Sequence, residues 1–272
     1  VSHALETHAL AKRFGRRPVI RDLQLAVPTG SVYGFLGRNG AGKTTTLRML
    51  LGILAPDAGT IVYAGRSVRR AGPAERRSIG YVSQQQHFYP WMKVRTLGRF
   101  VGAFYPTWDS ARFLGLLERL SVDPTQRVGV LSGGNRMKLA LALALAHAPP
   151  LLLLDEPTAG VDPVTRREIL DLLKVAASEE GRTVLFSTHN ISEIDAIGDQ
   201  VGILHEGRLF WQGPVGGIAA RVRRFTGDTP AGVQRLADDA SGAIGWGEPE
   251  AWTDEPPISL EEAFVAIARQ DA

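Results

Sequence analysis

Cysteine is absent from the 272 residues, which removes disulfide frameworks, thiolate metal sites and cysteine nucleophiles in one step. Long apolar runs are missing as well. The longest, residues 139–148, is interrupted by His147 and stopped by Pro149 and Pro150, well short of the roughly 18 residues a membrane span needs. There is no strong charge excess: 31 Lys and Arg face 28 Asp and Glu, a net charge of +3, so no nucleic-acid partner is inferred. No opening stretch joins a basic flank, an apolar run and a small-residue cleavage site, because His3, Glu6 and His8 interrupt it, and a secreted chain is not expected. Neither an internal repeat of about 20–50 residues nor a low-complexity tract is found.

What is present is ordinary for a soluble globular chain: 44% hydrophobic and 22% charged residues, with length for one large domain or two modest ones at about 100–200 residues each. The charge is unevenly spread. Residues 213–272 hold ten acids and five arginines, a net of −5, leaving +8 on residues 1–212, and this asymmetry predicts a boundary near 212.

Residues 23–36 read as two short strands around a Pro28-Thr29-Gly30-Ser31 turn, the second being 32–36, which runs into glycines. Leucine and methionine at helical spacing predict a helix over 44–54. Further strands are expected at 60–63, 79–82, 151–154, 183–187 and 201–204, with Gly207 as a hairpin turn into 208–211. Helical stretches between them predict an α/β fold with a mostly parallel sheet. Residues 86–148 read as a helical insertion, including helices at 110–120 and 137–148. The Leu/Ala alternation at 139–146 fits a strand by period, but residue type and length favour helix. Residues 219–252 show only weak periodicity. Ser259 and Glu262 then form an S-x-x-E capping box ahead of a final short helix.

Gly37-Arg38-Asn39-Gly40-Ala41-Gly42-Lys43-Thr44 fits G-x-x-x-x-G-K-[ST] after a strand and at a helix start, where glycines let successive N–H groups turn inward to cradle phosphates. Lys43 then addresses the β- and γ-phosphates, and Thr44 offers a hydroxyl to Mg²⁺. Residues 151–156 form an apolar run ending in Asp155 and Glu156, a buried strand delivering carboxylates at its C-terminal edge, where open α/β sheets bind ligands. Asp155 is assigned to Mg²⁺ and Glu156 to general base or water polarisation. Leu131-Ser132-Gly133-Gly134-Asn135 opens another helix, a second phosphate-binding surface or an ordinary Ser cap. His189 and Gln84 follow strands on the same edge.

Taken together, residues 10–211 resemble the nucleotide-binding subunit of an ATP-binding cassette (ABC) transporter. Gly37 to Thr44 resembles the Walker A loop, Gln84 the Q-loop, 131–135 the signature and 151–156 Walker B with its catalytic glutamate. Ala159-Gly160-Val161-Asp162 resembles the D-loop and Ser187-Thr188-His189 the H-switch. The resemblance implies a RecA-like P-loop NTPase fold, with an antiparallel β part and an inserted helical subdomain. It implies that Gly37, Asn39, Gly40, Ala41, Gly42, Lys43, Thr44 and Thr45 bind ATP, with Phe14 stacking on adenine as the A-loop aromatic. Ser132, Gly133, Gly134 and Asp162 would complete the nucleotide site across a head-to-tail dimer, a homodimer or heterodimer. Thr44, Gln84 and Asp155 would hold the metal, and Glu156, His189 and Gln84 would serve hydrolysis. Asn135 stands where the signature usually has glutamine, one methylene longer.

The resemblance further implies a polytopic membrane permease as partner and a place at the cytoplasmic face of the cell membrane. Residues 87–92, unusually aromatic, are expected in the groove that receives the permease's helix, or else in the insertion's own core. Residues 259–264 are similar to the Ser-Leu-Glu-x-x-Phe ending of bacterial exporter ATPases, which favours export. The competing reading is a soluble, non-transport ABC ATPase. It expects long coiled coils or a second cassette, and the chain has neither heptads nor a second Walker A.

Overall fold

In the computed structural model, which describes residues 2–239, 241–252 and 256–269, the chain opens with β1 (His3–Phe14), β2 (Arg17–Leu23), β3 (Ala26–Pro28) and β4 (Val32–Leu36), then α1 (Lys43–Leu50). Next come β5 (Ala58–Tyr63), β6 (Arg66–Val68), α2 (Pro73–Arg77) and β7 (Ile79–Val82). Three helices follow, α3 (Val94–Gly102), α4 (Ser110–Arg119) and α5 (Gly133–Leu145). The chain returns to alternation with β8 (Leu151–Asp155), α6 (Pro163–Ser178), β9 (Thr183–Thr188), α7 (Ile191–Ile197), β10 (Gln200–His205) and β11 (Arg208–Pro214). It ends with α8 (Ile218–Arg221), β12 (Val222–Phe225), β13 (Gln234–Asp239), β14 (Gly242–Trp246) and α9 (Leu260–Ala268).

The central sheet has the order β11-β10-β4-β9-β8-β7. All its pairings are parallel except the β10–β11 hairpin. Its inner strands β4 and β8 are buried along their whole length, with apolar runs, because both faces are covered. The period of two then divides each strand between two cores. Leu152 and Leu154 of β8 and Val184 and Phe186 of β9 enter the core shared with α5, α6 and α7. Leu151, Leu153 and Leu185 face the other way, onto Leu47, Met49 and Leu50 of α1. A second sheet, β2-β1-β5-β6 with β3 beside β1, closes over that second core through Leu5, Leu10 and Ile61. Helix α1 is therefore clamped between two sheets.

Several expected boundaries shift for identifiable reasons. The helix expected over 44–54 ends at Leu50, because Gly52 turns left-handed at φ 65° and lies against the Ala71 backbone, where a Cβ would come within 2.2 Å of its carbonyl oxygen. The helix expected over 137–148 runs from Gly133 to Leu145, extended backwards by the Ser132 cap. Every residue from Met137 to Leu145 is buried, so a helix wrapped in core on all sides carries no amphipathic period to read. Strand β1, unforeseen, changes pairing register at Leu10 and Lys12, and Ala9 sits at φ 50°, so its alternation never persists long enough to show. Strands β12 to β14, where only weak periodicity was visible, form a small antiparallel sheet in the order β12-β14-β13. The capping box at Ser259 is present: its hydroxyl accepts from Glu262 N–H at 3.1 Å. Helix α9 buries Leu260, Ala263, Ala266 and Ile267 in the same core as α5 to α7, and the Arg38 guanidinium donates to Ala268 O at 3.1 Å.

Behind α5, His147 is 2% exposed and stacks on Tyr105 at 4.0 Å. Its two ring nitrogens have no hydrogen-bond partner among the described residues, and burial pushes its pKa down to about 4. The unfolded chain takes up this proton near the ordinary histidine value of about 6.5, so stability is lost as pH falls from there toward 4. His147→Phe removes that dependence. Urea unfolding of both proteins at pH 7 and pH 4.5 should show the wild type losing more stability than the variant on acidification, by about 2 kcal/mol.

Candidate active site

Parallel strands end on the same side, so the segments leaving β4, β7, β8 and β9 converge at one sheet edge. They carry the phosphate loop, Gln84, Asp155 with Glu156, and His189. The loop depends on two glycines. Gly40 sits at φ 84° and Gly42 at φ 112°, and a Cβ on Gly42 would lie 2.5 Å from Ile20 Cδ1. Helix α1 begins at Lys43 without a side-chain cap or an acid in its first turn, so its leading N–H groups face the pocket as an anion site.

Lys43 is buried, and its ammonium donates to Gly37 O at 2.6 Å and Arg38 O at 3.2 Å. Its third partner is Glu156 Oε1 at 3.2 Å. The other carboxylate oxygen of Glu156 accepts from Gln84 Nε2 at 3.3 Å and lies 3.4 Å from His189 Nδ1. Glu156 itself occupies the left-handed region at φ 47°, a conformation costing about 1–3 kcal/mol for a non-glycine residue. Here that backbone turn takes the chain off the end of β8 beside the phosphate loop. Asp155, 1% exposed, accepts from Thr44 Oγ1 at 3.0 Å and Ser187 Oγ at 2.9 Å.

A pocket of about 350 Å³ lies over this group, lined by Val19, Asn39, Gly40, Gly42, Lys43, Thr44, Thr45, Gln84 and Glu156. Gly37 contributes its carbonyl from below, and Ala41 lines the neighbouring cleft against α9. Other residues named from the sequence lie elsewhere. Phe14 is exposed at the end of β1, with Lys12 Nζ 5.8 Å from its ring centroid, and does not line the pocket. Ser132 and Gly133 are exposed at the start of α5, where the Ser132 hydroxyl accepts from Asn135 N–H at 3.1 Å. Gly134 packs against Thr165, which a Cβ would approach to 3.2 Å. Asp162 caps α6 by accepting from the Thr165 and Val164 N–H groups, both at 3.0 Å, and these bonds hold its carboxyl below the usual range.

Two residues were overlooked. Val19 lines the pocket from β2, and nothing in its local sequence marks it. Ser187 accepts from Glu156 N–H at 3.0 Å while donating to Asp155, so one hydroxyl positions both carboxylates. Its place two residues before His189 at the end of an apolar strand was the available signal. Ser187→Ala leaves a buried N–H and a carboxylate oxygen short of a partner. Hydrolysis should fall about tenfold while nucleotide affinity stays within about threefold, as steady-state assays and fluorescence titration with an ATP analogue would measure.

The profile of the ABC transporter family matches residues 20–159. Among curated relatives, a bacitracin transport ATP-binding protein, BcrA of Bacillus licheniformis, is 34% identical over 83% of this chain and 74% of its own length. An Fe(3+) ions import ATP-binding protein, FbpC 1 of Rhodococcus jostii (strain RHA1), is 41% identical over 77% of this chain, which spans 62% of that relative's length. Nod factor export ATP-binding protein I of Paraburkholderia xenovorans (strain LB400) is 38% identical over 80% and 73%. A solved ATP-binding subunit of an ABC transporter superposes with a TM-score of 0.73 at 25% identity, covering 79% of this chain and 91% of that one. The dimeric cassette MJ0796 bound to ADP and Pi shares the fold, with a TM-score of 0.70 at 24% identity over 77% and 98%. With a glycine cradle, a buried lysine and paired carboxylates on one sheet edge, the chain belongs to the ABC transporter family of ATP-binding subunits, which are ATPases.

Proposed function

We propose that this chain is the ATP-hydrolysing subunit that energises a separate polytopic membrane permease, with export as the direction of transport. The observation carrying this reading is the Glu156 carboxylate, held by Lys43, Gln84 and His189 at the edge of the phosphate pocket. A carboxylate so placed can orient an attacking water and accept its proton, alongside the positioning and charge stabilisation on which phosphoryl transfer chiefly depends. Lys43 and the N–H groups of α1 bind the phosphates, and His189 donates toward the transferred one. Thr44 and Asp155, joined at 3.0 Å, are hard oxygen donors of the kind Mg²⁺ prefers. With Gln84 they would hold that ion, which supplies charge neutralisation on the phosphates when bound.

Ser132, Gly133, Gly134 and Asp162, away from the pocket of their own chain, serve the pocket of a second copy or of a similar partner subunit. A helix N-terminus then faces the nucleotide from each side, and its hydrolysis lets the two halves part. Phe14 stacks on the base. Residues 1–212 form the cassette, with its helical insertion at about 86–148, and residues 213–272 an extension.

No helix of the described residues is long and apolar enough to cross a membrane. In this reading the permease supplies the link to the membrane, at its cytoplasmic face. The aromatic stretch divides in two. Phe88 and Met92 pack against the core, whereas Tyr89 and Trp91 continue outward through Phe100 to Phe104 in a chain of ring contacts of 5.2, 5.9 and 5.4 Å. This exposed ladder, which starts five residues after Gln84 in the chain, is the surface offered to the permease. Relatives named for export and for import both occur; the Ser259-to-Phe264 ending supports export.

Lys43→Ala should lower ATP affinity at least about tenfold, whereas Glu156→Gln should bind ATP normally, hydrolyse it at least about a hundredfold more slowly and accumulate as an ATP-bound dimer on gel filtration. Normal turnover by Glu156→Gln would overturn the assignment. Trp91→Ala with Phe104→Ala should leave ATPase activity intact and abolish co-purification with the permease.

A further inference from the structure

Glu193 belongs to none of the recognised motifs, yet it is a carboxylate only 3% exposed in the first turn of α7. Burying such a group is costly unless every oxygen is answered. Both are. Oε1 accepts from Thr158 Oγ1 at 2.7 Å and Oε2 accepts from Thr188 Oγ1 at 2.7 Å. Asn190 Nδ2 lies 3.5 Å and Arg166 Nε 3.7 Å from Oε1. Thr158 is two residues beyond Glu156, and Thr188 is the residue before His189.

The position of this bridge is informative. The parallel ladder between β8 and β9 ends at the pair Asp155 and Ser187. Past that point the first chain turns into the loop toward Asp162, while the second keeps Thr188 paired with Leu36 of β4 before the turn that carries His189, with no backbone ladder between the two. Ser187 ties the two at the last ladder rung. Glu193 ties them again beyond it; Glu156 lies between the positions so held on the first segment, and His189 directly follows Thr188 on the second. Arg166, on the first turn of α6, adds the far end of the loop that holds Asp162 to the same carboxylate.

We propose that Glu193 is a positioning residue for hydrolysis: by bridging Thr158 and Thr188 it sets the separation of Glu156 from His189, and joins the segment bearing Asp162 to the one bearing His189. It does not line the phosphate pocket, though it shares a neighbouring cleft with Glu156 and His189, so it acts on the chemical step and leaves nucleotide binding alone. This rests on the reading of Glu156 as the group that activates water, and Glu156→Gln is therefore assayed in parallel.

The test compares Glu193→Ala, Glu193→Gln and Thr158→Val in the 272-residue chain, reading kcat, KM and the dissociation constant of a fluorescent ATP analogue. Misplacing reacting groups by about 1 Å costs on the order of a hundredfold, so Glu193→Ala should lower kcat about 10- to 100-fold with KM and the dissociation constant within about threefold. Glu193→Gln should recover kcat to within about threefold of wild type, because its amide oxygen accepts from one threonine while its NH₂ donates to the other. Thr158→Val, which keeps α7 and the carboxylate in place, should fall about 3- to 10-fold in kcat alone, and it carries the test if Glu193→Ala does not fold. Unchanged kcat in Glu193→Ala or Thr158→Val, KM and the dissociation constant rising in step with the loss of kcat, or a glutamine variant no better than alanine would each overturn the proposal. Full activity in Glu156→Gln would instead overturn the reading of Glu156.

Discussion

A buried ammonium needs an anion, and in this protein most of the site follows from how that need is met. Lys43 has almost no access to water, so the two carbonyls of its own loop and the Glu156 carboxylate replace hydration. Leaving such a charge without a partner would cost several kcal/mol. In the proposed reading, the triphosphate competes with Glu156 for the lysine. Its arrival relieves the carboxylate of a counterion and leaves it to Gln84, His189 and water. In that reading one ion pair both answers the buried Lys43 charge and holds the proposed general base back.

The sheet makes this pairing possible. Lys43 stands at the start of α1, which is gripped between the parallel sheet and the antiparallel sheet through Leu47, Met49 and Leu50. Glu156 stands just past β8, whose four leucines are divided between the two cores. Neither end of the ion pair can shift without disturbing close-packed side chains, and densely packed interiors resist such displacement. Where the sheet stops, side chains take over its role. Ser187 and Glu193 stitch β8 to β9 at the final rung and beyond it. They hold Glu156 in a left-handed conformation that its own backbone preference opposes, and strain of this kind persists only where the surroundings over-determine it.

The far end of the chain enters the same assembly. Helix α9 places Leu260, Ala263, Ala266 and Ile267 into the core beneath α5 to α7, and its last turn accepts from Arg38 of the phosphate loop. A cation at a helix C-terminus is favoured by the exposed carbonyls there. The acidic composition that sets residues 213–272 apart from the body of the chain does not prevent an apolar face from packing against it.

Chemistry that depends on residues close together in sequence was legible without coordinates. The glycine spacing before Lys43 and Thr44, the leucines leading into Asp155 and Glu156, and the Ser259 capping box are each local patterns with a physical reason to exist, as are the apolar strands of the central sheet. Strand β1 was hidden because a bulge resets its alternation, and the extent of α5 because burial on every side leaves no periodicity. Ser187 is marked in sequence only by its place before His189, and Val19 and Glu193 not at all: a valine in a strand and a glutamate on a helix are unremarkable until folding sets them beside groups more than a hundred, or some thirty, residues away. Sequence determined which groups are present and which strand ends carry them, since loop and strand patterns are set by neighbours in the chain. Tertiary structure alone decided which of them meet, because parallel strands bring distant segments to one edge and only packing sets the distances between them.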